Sequence, residues 1–218
     1  MGDARSRMID AAERIAASEG FGAMTLRRVQ AAAGQRNKSA AQYHFGSREG
    51  LIEAVLSARM APVNEQRRQV LASLGAEAPM RDLVVALVEP LARATACTPG
   101  SHWARFLFHG WADPELHDVV RRSLEASSYR EVRDRLAAAL DHLPEPVRRR
   151  RIDQVVGLVV LSLAAAEGGT GRRRLPIDAQ VTDLVDACCG LLLAPCSVPT
   201  AHLPTADVPG TDPERTDP

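Results

Sequence analysis

Polar side chains that can bind nucleic acid are concentrated between residues 28 and 48. Amide, hydroxyl and basic groups in this segment can recognise base edges, and its remaining basic and aromatic groups can bond phosphate oxygens. The candidate base-contacting residues are Arg36, Asn37, Lys38, Ser39 and Gln42. The candidate phosphate-anchoring residues are Arg28, Tyr43, His44 and Arg48.

Two short helices separated by a glycine are predicted to position these side chains. Thr25 is a good N-cap for the first helix, and Gly34 stands where a left-handed residue would end it. The apolar residues on one face of this helix are Leu26, Val29 and Ala33. The second helix is predicted to start with Asn37 as its cap and to run from Lys38 to about Phe45. This layout is typical of a helix-turn-helix that reads DNA.

A further helix precedes this pair. Residues 6–19 have apolar side chains at helical spacing, and Gly20 closes the segment. The apolar positions are Ile9, Ala12, Ile15 and Ala16. Phe21 and Met24 are then placed to pack the first helix onto the second, so we expect a three-helix N-terminal domain.

This three-helix unit, followed directly by residues 45–52 (FGSREGLI), resembles the tetracycline-repressor (TetR) family. In that family the third helix ends in an aromatic run, and a basic residue and a long linking helix follow. The matching positions here are Tyr43, His44 and Phe45, then Arg48, then Leu51 and Ile52. The resemblance covers roughly residues 6 to 56, and beyond them it rests on chain length and an all-helical pattern.

The segment departs from the family's pattern at three places. Gln30 replaces a small alanine that is usual in the second helix, and Gln42 stands where a tyrosine is frequent. The turn around Gln35 and Arg36 lacks the usual apolar residue and is one residue longer than the commonest pattern. These departures bear on which side chain of the recognition helix meets which base.

The charge of the chain is balanced overall but not locally. The 218 residues include 27 basic and 27 acidic side chains. Residues 1–50 hold eight basic and five acidic ones, a local net charge of +3. This is a modest positive footprint of the kind that phosphate binding needs, and it falls on the predicted DNA-binding segment.

We predict neither a catalytic residue nor a metal or cofactor site. The sequence lacks a nucleophile elbow, a phosphate loop, a dinucleotide fingerprint and a metal-ligand cluster. The four cysteines have no framework spacing, and adjacent Cys188 and Cys189 are most simply small core residues. The longest apolar stretch, residues 155–166, is shorter than the roughly 17 residues that a membrane span needs. We therefore expect a cytoplasmic protein without a membrane partner.

The rest of the chain is predicted to be helical, which makes the fold class all-α. Pro62 is expected to interrupt a long helix at 48–74, and Pro90 to kink or break one at 80–96. The remaining helices are expected at 101–109 (ending at Gly110), 115–142, 145–168 and 176–194. From residue 195 onward six prolines fall within 24 residues, which predicts a disordered tail. The expected domains are a helix-turn-helix domain (1–47), a helical ligand-binding and dimerisation domain (48–194) and the Pro-rich tail (195–218).

The last two helices carry large apolar surfaces. In the first of them, seven residues leave no polar face for several turns: Val155, Val156, Leu158, Val159, Val160, Leu161 and Leu163. The final helix has an apolar stripe of Val181, Leu184, Val185, Cys188, Leu191 and Leu192. The TetR resemblance implies that the two helices form a four-helix dimer interface with their copies; the alternative is ordinary core.

Aromatic residues are scarce in this chain, yet four of them lie within nine positions between Trp103 and Trp111. The TetR resemblance implies a small-molecule pocket among the middle helices, lined by Trp103, Phe106 and His109. The alternative interpretation is that these aromatic residues belong to the core.

The resulting expectation is a homodimeric transcriptional regulator, more specifically a ligand-responsive repressor, that binds a palindromic operator in double-stranded DNA. Its small-molecule effector is unknown from the sequence. Two other classes remain open: a helical small-molecule sensor that acts through a protein partner, and an enzyme.

Overall fold

The computed structural model describes residues 4–37, 39–124, 127–167 and 175–199, which form ten α-helices and no strand. The predicted all-α class is confirmed. The helices are α1 (Ala4–Glu19), α2 (Leu26–Ala32), α3 (Ala40–Phe45), α4 (Arg48–Ser73), α5 (Met80–Ala94), α6 (Trp103–Ala112), α7 (His117–Leu124), α8 (Ser127–Ala139), α9 (Glu145–Glu167) and α10 (Ile177–Leu193). Residue 168, the predicted end of the helix at 145–168, and residues 200–218 of the predicted tail lie outside the described residues.

The first three helices form the N-terminal head, as predicted. α1 packs on α2, α3 and α4 through buried side chains, with Phe21 and Met24 in the turn that follows it. Gly20 (φ 80°) and Gly34 (φ 66°) end α1 and α2 in the left-handed region, which costs glycine little. The Thr25 Oγ1 atom accepts a hydrogen bond from the Arg28 amide (3.2 Å), so the predicted N-cap of α2 is confirmed.

The remaining helices surround one hydrophobic core that continues into the head. α4 packs against α5, α7 and α8, while α9 packs against α6, α8 and α10. α6 lies between α9 and α1, so it contacts both the C-terminal helices and the head. The Ser47 Oγ atom caps α4 by accepting a hydrogen bond from the Gly50 amide at 3.0 Å.

The two internal prolines do not interrupt their helices, which corrects the expected interruption at Pro62 and the expected break at Pro90. α4 continues through Pro62, and α5 continues through Pro90. A proline inside a helix costs roughly 3 kcal/mol because one backbone hydrogen bond is lost. Here residues on both sides of each proline are buried, Met60 and Val63 in α4 and Val88 and Leu91 in α5, where α4 and α5 pack against each other and against α8. Tertiary burial therefore outweighs the local preference.

Two other boundaries differ from the prediction. α6 continues past Gly110 to Ala112 because Gly110 is a packing position rather than a stop. A Cβ atom at Gly110 would lie 2.6 Å from Val120 Cγ2 and 3.3 Å from Phe21 Cε2, so only glycine lets these side chains approach. The single helix expected over 115–142 is two helices, α7 and α8, that pack on different neighbours.

Of the two adjacent cysteines interpreted as core residues, Cys188 lies in the core and Cys189 is half-buried. Cys188 is fully buried, and burial raises the pKa of its thiol to about 11. Burial also raises the pKa of the Cys97 and Cys189 thiols. All three therefore remain protonated and weakly nucleophilic at neutral pH. In the described part of the chain, no helix is both long and apolar enough to cross a membrane.

Replacing Gly110 with alanine should destabilise the fold by about 1–3 kcal/mol, because the added methyl group must displace Val120 and Phe21. Thermal unfolding of the purified protein measures the effect as a lower Tm. Gly157→Ala is the matched control, since its Cβ would meet only Trp111 Nε1 at an ordinary 3.7 Å. Equal Tm values for the Gly110 variant and the wild type would contradict the close packing of α6 against the head.

Candidate nucleic-acid interface and its connection to the core

The recognition helix α3 is short and has two distinct sides. Ala40, Ala41 and Phe45 are buried against the head, and the Phe45 ring also lies 5.6 Å from the Arg5 guanidinium. Gln42 and Tyr43 point away from the core, and Tyr43 is 85% exposed. A large aromatic side chain that is exposed to this degree has no packing role, so it is available to a partner surface.

The recognition helix begins two residues later than predicted. Its N-cap is Ser39 rather than Asn37, and its first helical residue is Ala40. The Asn37 side chain instead accepts a hydrogen bond from the Ser39 amide (3.0 Å), which forms a local turn that competes with helix. Lys38, predicted to contact bases, lies outside the described residues.

Gln30 holds the extended turn between α2 and α3. Its side chain is buried, and Nε2 donates to the Asn37 carbonyl oxygen at 2.6 Å. The Gln30 carbonyl oxygen also accepts a hydrogen bond from the Gln35 amide (3.1 Å). The departure from alanine at position 30 and the longer turn are thus physically linked, because the longer turn needs a donor that alanine lacks.

Two predicted phosphate anchors already have partners within the head. The Arg28 guanidinium bonds both carboxylate oxygens of Glu19 at 2.5 and 2.7 Å on the protein surface. Arg48 Nη2 donates to the Phe21 carbonyl oxygen at 2.9 Å and so joins the start of α4 to the turn after α1. Arg27, which sequence reasoning did not single out, is exposed in the first turn of α2 and forms no ion pair with any described residue.

The other predicted contact residues lie on the same side of the head. Arg36 and Ser39 are exposed in and after the turn, and His44 is half-buried with its ring 5.3 Å from that of Tyr43. Gln42 Nε2 donates to the Gly46 carbonyl oxygen at 2.5 Å. This local bond closes the end of α3, and Gln42 must exchange it for any bond to a base.

The sequence of this head also matches a known family. Residues 8–55 match the family model described as bacterial regulatory proteins, tetR family. The N-terminal head is therefore a TetR-type DNA-binding domain, which makes the chain a DNA-binding transcription regulator. Regulators of this type are not enzymes.

The whole chain has the same fold as solved TetR-family structures. A protein from Shewanella sp. PV-4 assigned to this family matches with a TM-score of 0.63 and 14% identity, covering 88% of this chain and 96% of that one. AmtR from Mycobacterium smegmatis matches with a TM-score of 0.59 and 18% identity, covering 88% of this chain and 86% of that one. PfmR, a TetR-family regulator from Thermus thermophilus, matches with a TM-score of 0.51 and 16% identity, covering 88% and 97%.

These identities are low, so the matches establish the fold alone. No curated protein matches the chain in a sequence comparison. The chemistry of the regulatory region must therefore be inferred from the residues of this chain.

A buried carboxylate connects the head to the C-terminal helices. Glu13 of α1 accepts a hydrogen bond from Arg59 Nε of α4 at 2.5 Å and another from the His102 amide at 3.2 Å. Arg59 also donates to Asp10 Oδ1 at 2.6 Å. Burial of the Arg59 guanidinium works to lower its pKa, but Glu13 and Asp10 outweigh this cost and raise the pKa above its ordinary value. The head is thus anchored to α4 and to the start of α6.

A second buried carboxylate joins α6 to α9. Glu167, near the C-terminal end of α9, accepts hydrogen bonds from the Ala104 amide (3.2 Å) and the Arg105 amide (2.9 Å). These amides belong to the first turn of α6, where they have no partner within the helix. Glu13 and Glu167 together therefore fix α6 between the head and α9.

The residues predicted to line a ligand pocket lie close to the head. Trp103 is almost fully buried but borders a cleft of about 340 Å³, together with Glu13, Arg59 and His102 among others. Phe106 is fully buried and packs edge-on against Phe21 with 4.8 Å between ring centroids. Trp103, Phe106 and half-buried His109 do not line the inner cavity among α4, α5, α8 and α9 or the outer cleft beside α6, α7, α8 and α9. The structure places Trp103 and Phe106 in the packing between α6 and the head.

Two neighbouring cavities lie among the C-terminal helices. The inner cavity, of about 20 Å³, is lined by Arg67, Leu87, Leu91, Tyr129, Val156, Val159 and Val160. The outer cleft, of about 370 Å³, is lined by Trp111, Arg121, Tyr129, Arg133, Asp134, Ala137, Glu145, Arg148, Arg149, Ile152, Asp153 and Val156. Tyr129 and Val156 line both, so these two side chains separate the inner cavity from the outer cleft. In the described part of the chain, acidic, histidine and cysteine side chains form no group of three or more that could hold a metal ion.

Replacing Gln30 with alanine should destabilise the head by about 1–2 kcal/mol, because the bond from the buried Gln30 side chain to the Asn37 carbonyl oxygen is lost. Amide hydrogen exchange in residues 35–40 should become faster, and operator affinity should fall. Gln35→Ala is the matched control, since Gln35 Nε2 makes only a 3.5 Å contact with the Ala33 carbonyl oxygen. If the two variants exchange equally fast, Gln30 does not hold the turn.

Proposed function

We propose that the chain is a homodimeric repressor that binds a palindromic operator and releases it when a small molecule binds among the C-terminal helices. The proposal is supported mainly by one combination in a single protomer: an exposed polar recognition helix at one end and an uncovered apolar face on the last two helices. The first feature suits a DNA half-site, and the second suits a second copy of the chain.

On the DNA side, Arg36, Asn37, Lys38, Ser39 and Gln42 are proposed to face base edges. Arg28, Tyr43, His44 and Arg48 are proposed to anchor phosphates. Arg27 is added to the phosphate set because it is exposed beside Arg28 and is not engaged in an ion pair with any described residue. Arg28 must give up its bonds to Glu19 to serve in the same way.

The dimer proposal rests on the outward face of α9 and α10. Leu161 is 51% exposed and Leu193 59% exposed in the single protomer, although other large apolar residues of the same helices, such as Val160 and Leu192, are buried. Ala165, Ala187 and Gly190 are exposed small residues on these helices and permit close approach of a partner helix. A second copy that packs on this face would bury the leucines and place two heads on half-sites roughly 34–36 Å apart.

Regulation is proposed to act through α6. A ligand can weaken DNA binding only as far as it prefers the arrangement of the heads that does not fit the operator. In this chain α6 contacts the head through Glu13 and Phe21 and contacts α9 through Glu167. A displacement of α6 by a ligand would therefore move each head relative to the dimer helices.

Selection of bound sequences from random duplex DNA tests the proposal directly. The purified full chain should enrich an inverted repeat whose half-site centres lie about one helical turn apart, or a multiple of it. Absence of enrichment at low salt would contradict it and favour the alternative of a small-molecule sensor that acts through a protein partner.

Gln42→Ala and Arg27→Ala should have different effects on the selected operator. The first should relax the preference at one base position per half-site, at a cost of roughly 1–3 kcal/mol if the base contact is bidentate. The second should weaken all sequences alike and reduce the slope of log affinity against log salt by about one per head. Fluorescence anisotropy over a salt series separates the two effects. The reverse pattern would show that the assignment of base and phosphate contacts is wrong.

Leu161→Glu should convert the dimer into monomers, because the interface would have to bury an unpaired carboxylate. We expect the dimer dissociation constant to rise by about two orders of magnitude, measured by sedimentation equilibrium. Ala72→Glu adds the same charge at an exposed position of α4 and should leave the dimer intact. A wild-type chain that sediments as a monomer at micromolar concentration would refute the proposed dimer.

A further inference from the structure

Arg67 is a buried cation that no described acidic residue neutralises. It lies on the inner side of α4 and is only 3% exposed. Its Nη1 atom donates to Asn64 Oδ1 at 2.9 Å, but its Nε atom is buried without a hydrogen-bond partner. It forms no ion pair with any described acidic residue. The Asn64 oxygen is also shared with the Ser128 hydroxyl (3.2 Å), so the local partners are neutral.

The charge of Arg67 persists despite its burial. Burial lowers the pKa of its guanidinium from 12.5 to about 10, and the nearby Tyr129 works in the opposite direction. At neutral pH the group is therefore still positively charged. A buried charge without a counter-ion is strongly unfavourable, and an apolar side chain of similar volume is often neutral or stabilising in such a place. Fold stability thus gives no account of an arginine at position 67.

The cavity beside Arg67 has one charged residue and a mostly aliphatic lining, which suits a ligand with one charged end. Arg67 lines the inner cavity together with five aliphatic side chains (Leu87, Leu91, Val156, Val159, Val160). The unpartnered donor therefore lies beside an apolar wall. At about 20 Å³ the cavity has room for one water molecule, so a larger ligand must enlarge it. The shared walls Tyr129 and Val156 lead to the outer cleft, which gives the ligand a route from solvent.

The chemistry of the site favours a monocarboxylate over other anions. A planar carboxylate can accept two parallel hydrogen bonds from one guanidinium. A phosphate dianion would bring a second charge into a cavity that has one cation and an aliphatic wall, and its desolvation would remain uncompensated. The outer cleft carries four arginines against three acidic residues, so its charge also favours the approach of an anion.

We propose that the effector is an apolar monocarboxylate whose carboxylate pairs with Arg67 and whose hydrocarbon part occupies an enlarged inner cavity. This inference rests on the proposed ligand-responsive function and specifies the ligand class for it. Pairing removes the cost of the isolated charge, and the enlarged cavity separates α8 and α9 from α4 and α5. The ligand thus acts on α9, the helix whose Glu167 holds α6.

Calorimetric titration of the full-length protein without DNA tests the ligand class. The probes are straight-chain alkanoates from butanoate to decanoate, the matched primary alcohols and the matched alkyl phosphates. We expect saturable binding of at least one alkanoate, at least about thirtyfold tighter than its alcohol. Failure of every alkanoate to bind, or tighter binding of the alcohol or the alkyl phosphate, would overturn the proposal.

Variants then test the role of Arg67. Arg67→Met should abolish alkanoate binding while leaving the Tm of the unliganded protein unchanged or higher. Arg67→Lys keeps the charge without the bidentate geometry, so affinity should fall about tenfold. Arg68→Met is the matched control, because Arg68 is exposed and pairs with Glu65 on the surface. Unchanged affinity in the Met or Lys variant, an equal loss in the control, or a lower Tm for Arg67→Met would each overturn the assignment.

The two proposals fail in different measurements. Alkanoate binding that requires Arg67 but leaves operator affinity unchanged would support the carboxylate site and contradict ligand-controlled release. Operator release by another ligand class, with no alkanoate binding, would support the proposed function and overturn the carboxylate site.

Discussion

Two buried carboxylates determine how the parts of this molecule are held together. The first amides of a helix have no partner within it, and when that end is buried they must find acceptors elsewhere. For α6 these acceptors include Glu13 of the head and Glu167 of α9. Because Glu13 of the head and Glu167 of α9 both accept hydrogen bonds from amides at the start of α6, α6 joins the head to the C-terminal helices in one core. Any movement of α6 must break, or carry with it, charge-assisted bonds at its start.

The head itself depends on a smaller polar arrangement. The chain between α2 and α3 is longer than the usual family turn. A longer turn contains more backbone N–H and C=O groups that need hydrogen-bond partners outside a helix. Gln30 compensates by bonding the Asn37 carbonyl, while the Asn37 side chain bonds the Ser39 amide. These bonds shorten α3 and set the angle at which Gln42 and Tyr43 leave the head. The start of α3 in the head therefore depends in part on one buried amide side chain, that of Gln30.

The protomer is energetically incomplete at two places, one internal and one external. Internally, Arg67 lacks a counter-charge among the described residues. Externally, Leu161 of α9 and Leu193 of α10 leave large apolar side chains in water. An anion would neutralise the charge of Arg67, and the apolar helix pair of another copy of the chain would cover Leu161 and Leu193. α9 borders both, since Val156 and Val159 line the inner cavity and Leu161 lies on the opposite side. α9 thus links the proposed ligand site to the proposed dimer face.

The sequence by itself determined those features that depend on neighbouring residues. The caps at Thr25 and Ser47, the glycine ends of α1 and α2, and the three-helix head follow from local hydrogen bonds and apolar periodicity, which are visible within a few residues. Only the tertiary structure decided the rest. Packing keeps α4 helical through Pro62. Gly110 lies against Val120, which is distant in sequence, and does not end its helix. The orientation of α4 buries Arg67 and leaves the adjacent Arg68 exposed. Trp103 and Phe106 likewise became core because α1 covers them. These outcomes depend on groups far apart in the chain, and their energies exceed the local preferences that a sequence displays.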